Sequence, residues 1–132
     1  MKFTYPKDEK LKSRKLITRL FTEGKSVSKY PLRLVYAEHE DTENPFLMGV
    51  SVSKRYFKRA VDRNHFKRIL RETYRLNQQL LKSHKSEKPL AFMLLYQSKD
   101  LLDYNEINTK TVELFEKFLK SQTHNTTPEQ KK

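Results

Sequence analysis

Apolar residues recur along this chain at three spacings, and each predicts a different element. Leu16, Ile17, Leu20 and Phe21 fall on one side of a helix, behind Ser13 as a cap and ahead of Gly24 as a stop. After Lys25 the period drops to two: Leu32, Leu34 and Tyr36 alternate with Arg33 and Val35, and Phe46, Met48, Val50 and Val52 alternate with Leu47, Gly49 and Ser51. Two strands are expected, joined by a polar loop from Glu38 to Asn44, with room for a further strand around Val27. From Val61 to Lys82 the spacing is helical again, with Phe66, Ile69, Leu70, Thr73, Leu76 and Leu80 on one side. Leu90 to Tyr96 is apolar throughout, which predicts a central strand buried on both faces. Asp103 and Glu106 form a capping box for a last helix carrying Ile107, Val112, Leu114, Phe115, Phe118 and Leu119.

The order α-β-β-α-β-α predicts one α+β sandwich, with helices against a mixed sheet. A length of 132 residues suits a single domain, expected over 13–120, with a flexible basic stretch at 1–12 and an apolar-free, disordered tail at 121–132. Absent residue types narrow the chemistry. Without cysteine there is no disulfide framework, thiol nucleophile or cysteine zinc site, and two glycines cannot write a P-loop or a dinucleotide fingerprint. No apolar run reaches bilayer length and the N-terminus is charged, so a cytoplasmic protein is expected.

Charge changes the picture more than any absence. The chain carries a formal +12, and the segment from Ser51 to Arg75 alone contributes +7, from Lys54, Arg55, Lys58, Arg59, Arg63, Lys67, Arg68, Arg71 and Arg75 against Asp62 and Glu72. At about 100° per residue, Arg63, Lys67, Arg71 and Arg75 advance only about 40° each and form a stripe, with Arg68 beside it. Cations and Asn64 are thereby expected on one face and the apolar side chains on the other. A solvated charged face is the bland alternative, but such faces mix signs and favour lysine, whereas this one is arginine-rich and nearly unmixed. The stripe therefore points to a polyanion.

Other candidates divide less cleanly. Asn64, inside the stripe, suits a phosphate or a base edge as well as it suits plain exposure. Asp62 complements the helix dipole, and His65 lies at the edge of the apolar face in a structural place. Phe21 and Tyr36, near Arg19, Lys25 and Arg33, offer stacking surfaces for unpaired bases or ordinary core packing. No two histidines have metal-ligand spacing, and no carboxylate cluster suits a metal-dependent nuclease. The chain reads as a binder, with no catalytic and no metal-ligating residue of its own.

The stretch from Ala60 to Glu72, preceded by Gly49-Val-Ser-Val-Ser-Lys-Arg55, resembles the protein subunit of bacterial ribonuclease P. Arg63, Asn64, Lys67, Arg68 and Arg71 match that family's basic helix motif, and the likeness extends through Phe21-x-x-Gly24, the apolar strand at 90 and the Tyr104 helix. It implies an α-β-β-β-α-β-α fold with a left-handed βαβ crossover, like the second domain of ribosomal protein S5. It also implies that a partner ribonuclease P RNA, with Mg²⁺ held by RNA and substrate, cleaves precursor tRNA at its 5′ end. The protein would then grip RNA through Lys54, Arg55, Lys58, Arg59, Arg63, Asn64, Lys67, Arg68, Arg71 and Arg75, and hold the 5′ leader through Ile17, Phe21 and Tyr36. Two positions depart from the pattern: His65 stands where a second arginine is usual, and Ile17 where many members have an aromatic. A non-catalytic RNA-binding or ribosome-associated protein is the alternative reading, and neither needs a membrane or a small-molecule cofactor.

Overall fold

A computed structural model of the chain describes residues 10–11, 13–39, 46–84 and 89–125, and side chains as far as 122. Seven elements follow in order: α1 (Arg14–Glu23), β1 (Lys25–Lys29), β2 (Leu32–Glu38), β3 (Phe46–Val52), α2 (Ala60–Lys82), β4 (Leu90–Tyr96) and α3 (Tyr104–Asn125). The strand suggested around Val27 is therefore real. It forms a hairpin with β2 through the turn at Tyr30 and Pro31, whose peptide bond is cis.

The four strands make one mixed sheet in the order β1-β2-β4-β3, with β1–β2 and β2–β4 antiparallel and β3–β4 parallel. The apolar β4 is central, as its composition requires. Alternation then builds two cores. Leu32, Leu34, Tyr36, Met48, Phe92, Leu94 and Tyr96 face α2 and α3, while Val35, Leu47, Ala91, Met93 and Leu95 face α1 with Leu11 and Leu20. A ten-residue helix covers the second face only in part, which leaves an open groove beside it.

Local signals at the helix ends act as expected. Ser13 Oγ accepts from the Leu16 N–H at 3.3 Å, and the Gly24 N–H closes α1 on the Leu20 carbonyl at 3.0 Å. The capping box of α3 closes both ways, with Asp103 N–H on Glu106 Oε1 at 3.1 Å and Glu106 N–H on Asp103 Oδ1 at 2.9 Å.

Three expectations need correction. Ordered structure begins before residue 13, because the Leu11 N–H donates to the Met48 carbonyl at 3.0 Å and its side chain is buried. At the other end α3 continues through Asn125, past the proposed limit at 120, and Gln122 donates to the Tyr36 hydroxyl at 2.9 Å. Residues 1–9, 12 and 126–132 of the proposed arm and tail, and most of the 38–44 loop, lie outside the described residues. Third, Leu76 is 38% exposed, and Tyr74, Gln78 and Leu81 are buried instead. The buried row Phe66, Leu70, Tyr74, Gln78 advances four residues at a time and so winds about 40° per step around α2. A fixed apolar sector read from the sequence misses that drift.

Candidate nucleic-acid interface

The cationic segment begins where β3 ends. Tyr56 and Phe57 donate their N–H groups to the Ser53 carbonyl at 3.1 and 3.2 Å, and Arg55 N–H reaches Ser53 Oγ at 3.0 Å, so residues 53–57 form a compact turn. Phe57 anchors it by stacking on Phe66, with centroids 4.8 Å apart. Lys54, Arg55, Lys58 and Arg59 are left exposed on this rigid support.

Along α2 the cations separate into two kinds. Arg63 is half-buried and turns back, its Nη1 donating to the carbonyls of Phe57 at 3.0 Å and Lys58 at 2.8 Å. It braces the turn to the helix, which is not the free contact expected. Arg59 pairs with Asp62 at 3.5 Å, and Arg75 pairs with Glu72 at 2.5 Å. That second pair holds the Glu72 carboxyl below its ordinary value and lifts the Arg75 guanidinium further above its own. No described carboxylate lies within ion-pair range of Lys54, Lys58, Lys67, Arg68 or Arg71. Lys67 is half-buried beside the core row, while Asn64, Arg68 and Arg71 are exposed. His65 is exposed too, its ring edge-on to Phe66 at 5.0 Å.

The second feature is the groove between α1 and the sheet, about 150 Å³. Leu20, Phe21 and Gly24 wall it, and Ser26, Arg33, Val35, Leu95 and Gln97 form the floor. Phe21 is 53% exposed, so its ring is available to a ligand. Arg33 is exposed and donates to Ser26 Oγ at 3.1 Å, which lays its guanidinium across the floor. Parallel pairing of Val52 with Tyr96 brings the turn after β3 and the loop after β4 to the same end of the sheet. Gln97, in the groove floor, thus lies at the same end of the sheet as the cationic turn.

Tyr36 is absent from the lining of this groove. It is 6% exposed, on the face opposite Phe21's groove, with its ring edge-on to Phe118 at 4.8 Å. It also lines a recess of about 300 Å³ with Arg19, Glu23, Lys25 and Glu38. Ile17 packs half-buried against the α1-side core and is absent from the groove lining. Sequence reasoning missed Val35, Leu95 and Gln97, although the alternation along β2 already sets Tyr36 with Leu32 and Leu34, and Arg33 with Val35. No group of three or more His, Asp or Glu side chains able to hold a metal occurs among the described residues.

A three-helix, four-strand protein with a row of unpaired cations on its longest helix, and an aromatic-walled groove beside it, belongs to the class of small basic α+β proteins suited to polyanions. The family model described as Ribonuclease P matches residues 5–119, and the chain belongs to that family. It is 41% identical over 112 residues to the "Ribonuclease P protein component" of Porphyromonas gingivalis, covering 80% of this chain and 79% of that one. The Clostridium botulinum component is 35% identical over 111 residues, with 84% and 95% covered. The fold is that of the RNase P proteins of Thermotoga maritima and Staphylococcus aureus. The first superimposes with a TM-score of 0.62 at 20% identity over 83% of this chain and 96% of that one, the second with 0.61 at 20% over 82% and 93%.

Proposed function

We propose that this chain is the RNA-binding subunit of a ribonuclease P ribonucleoprotein, acting in 5′ maturation of tRNA with an RNA subunit that carries out the cleavage. Mg²⁺ enters through that RNA and its substrate. The observation that carries the proposal is the set of cations without carboxylate partners: Lys54, Lys58, Lys67, Arg68 and Arg71. Lys54 and Lys58 follow β3 and the other three lie on α2, where mutual repulsion favours an anionic partner over self-pairing. Arg55 and Asn64 extend the surface, and Arg59 and Arg75 can exchange their carboxylates for phosphates at modest cost, since exposed ion pairs are weak. Arg63 acts through the turn it braces.

The groove supplies the second function. A single strand needs an aromatic face and a cation for its backbone, and Phe21 with Arg33 offers both. Precursor tRNA leaders are single-stranded, so the groove is assigned to the 5′ leader. Val35, Leu95 and Gln97 form its floor, while Ile17 and Tyr36, which the family resemblance implied for the leader, are absent from its lining.

Two binding measurements test this reading. Replacing Lys67, Arg68 and Arg71 by alanine is expected to lower affinity for ribonuclease P RNA and reduce the slope of log K against log salt by about 2 to 3. Phe21→Ala is expected to shrink the affinity gap between precursor tRNA and leaderless tRNA in the reconstituted complex. An unchanged slope removes the cation row from the interface, and an unchanged gap removes the groove.

A further inference from the structure

Tyr30 is 63% exposed, yet its side chain is not loose. Its hydroxyl hydrogen-bonds with the buried Ser98 Oγ at 2.7 Å and donates to the Asp100 carboxylate. The receiving loop is itself fixed, because the Asp100 N–H donates to Ser98 Oγ at 2.9 Å and the Tyr96 hydroxyl to the Asp100 carbonyl at 2.5 Å. A large ring held by its polar tip presents its faces to solvent at little further entropic cost on binding.

Its position gives that ring a direction. The next residue, Pro31, accepts the Gln97 N–H at 2.8 Å, and Gln97 is on the floor of the Phe21 groove. Tyr30 therefore stands at the end of the sheet where Gln97 of the groove lies, with the exposed Lys99 on the anchoring loop and Lys29, paired with Glu113 at 3.9 Å, before it in the chain. We propose that Tyr30 is a second base-stacking platform, taking a nucleotide of a single RNA strand as it passes between the groove and the cationic turn. The path then runs from Phe21, past the Arg33 guanidinium, to Tyr30. The anchoring hydroxyl orients the ring, and the ring makes the contact.

This rests on the leader reading of the groove, and the test separates the two. Affinities of precursor tRNA and leaderless tRNA are measured with the complex of the full chain and ribonuclease P RNA, under conditions that block cleavage. Tyr30→Leu is expected to weaken precursor tRNA by roughly tenfold and leave leaderless tRNA unchanged. Tyr30→Phe, which keeps the ring, is expected to lose less than about threefold. If Phe21→Ala narrows the leader-dependent gap and Tyr30→Leu does not, the groove reading stands and the Tyr30 proposal falls. Equal losses for Tyr30→Phe and Tyr30→Leu, or equal losses for both RNAs, reduce Tyr30 to a structural clamp and also overturn it. If Phe21→Ala leaves the gap unchanged, the groove reading fails and Tyr30 falls with it.

Discussion

Arg63 and Arg68 carry the same group on the same helix, but their surroundings assign them different roles. Arg63 satisfies two backbone carbonyls of the turn before α2. Its removal is expected to cost about 1 to 2 kcal/mol of stability, measured by urea unfolding, because two acceptors lose a charged donor. Arg68→Ala is expected to leave unfolding within about 0.5 kcal/mol of the wild type and to reduce the RNA salt slope by about 0.7 to 0.9. A stable Arg63→Ala variant would refute the brace. Gly24 is a second residue whose environment decides its identity: a Cβ there would lie 2.4 Å from the Leu20 carbonyl oxygen and 3.0 Å from that of Tyr36. Gly24→Ala is expected to lower stability by about 2 kcal/mol, through displacement of backbone at the groove wall. The glycine was legible in the sequence as a helix stop, but its tight approach to β2 was not, since that depends on how α1 lies on the sheet. Arg63 was legible only as a cation, because a long side chain's partner is set by a turn whose shape no periodicity reports.

At the scale of elements, period and caps predicted α1, β2, β3, β4 and both long helices. What they left out is which row of α2 the packing buries. The buried row of α2 winds with the helix, so Tyr74 and Gln78 fall in a sector that a straight projection gives to cations. The alternation that sets Tyr36 with Leu32 and Leu34 already favoured core packing for its ring, and the fold packs it there. The junction of α2 with α3 supplies a pH test. His84, after the end of α2, sets its ring edge-on to Phe118 of α3 at 5.5 Å, and burial pushes its pKa below the ordinary histidine value. Folding therefore disfavours the proton. The unfolded chain binds more protons as pH falls through the ordinary histidine range, and stability declines until the folded group also titrates. His84→Gln is expected to flatten the decline of unfolding free energy between about pH 7 and pH 5, a range set by the reference histidine pKa near 6.5. An identical pH profile in the variant would rule out this contribution.

For the whole molecule, one sheet separates two tasks. The α2 and α3 face supplies most of the core, and α2 carries Lys67, Arg68 and Arg71, which have no carboxylate partner among the described residues, while the half-covered α1 face leaves a groove. Gln97 of the groove and the cationic turn lie at the same end of the sheet, where β3 and β4 finish. In the proposed function such a protein positions and neutralises, and its RNA partner cleaves the bond. Cleavage of precursor tRNA by ribonuclease P RNA, at a Mg²⁺ concentration too low for the RNA alone, tests this most directly. The account predicts that adding this chain restores cleavage at the mature 5′ end and that the chain alone cleaves nothing. Cleavage by the chain without RNA, or an RNA rate unaltered by its addition, would contradict it.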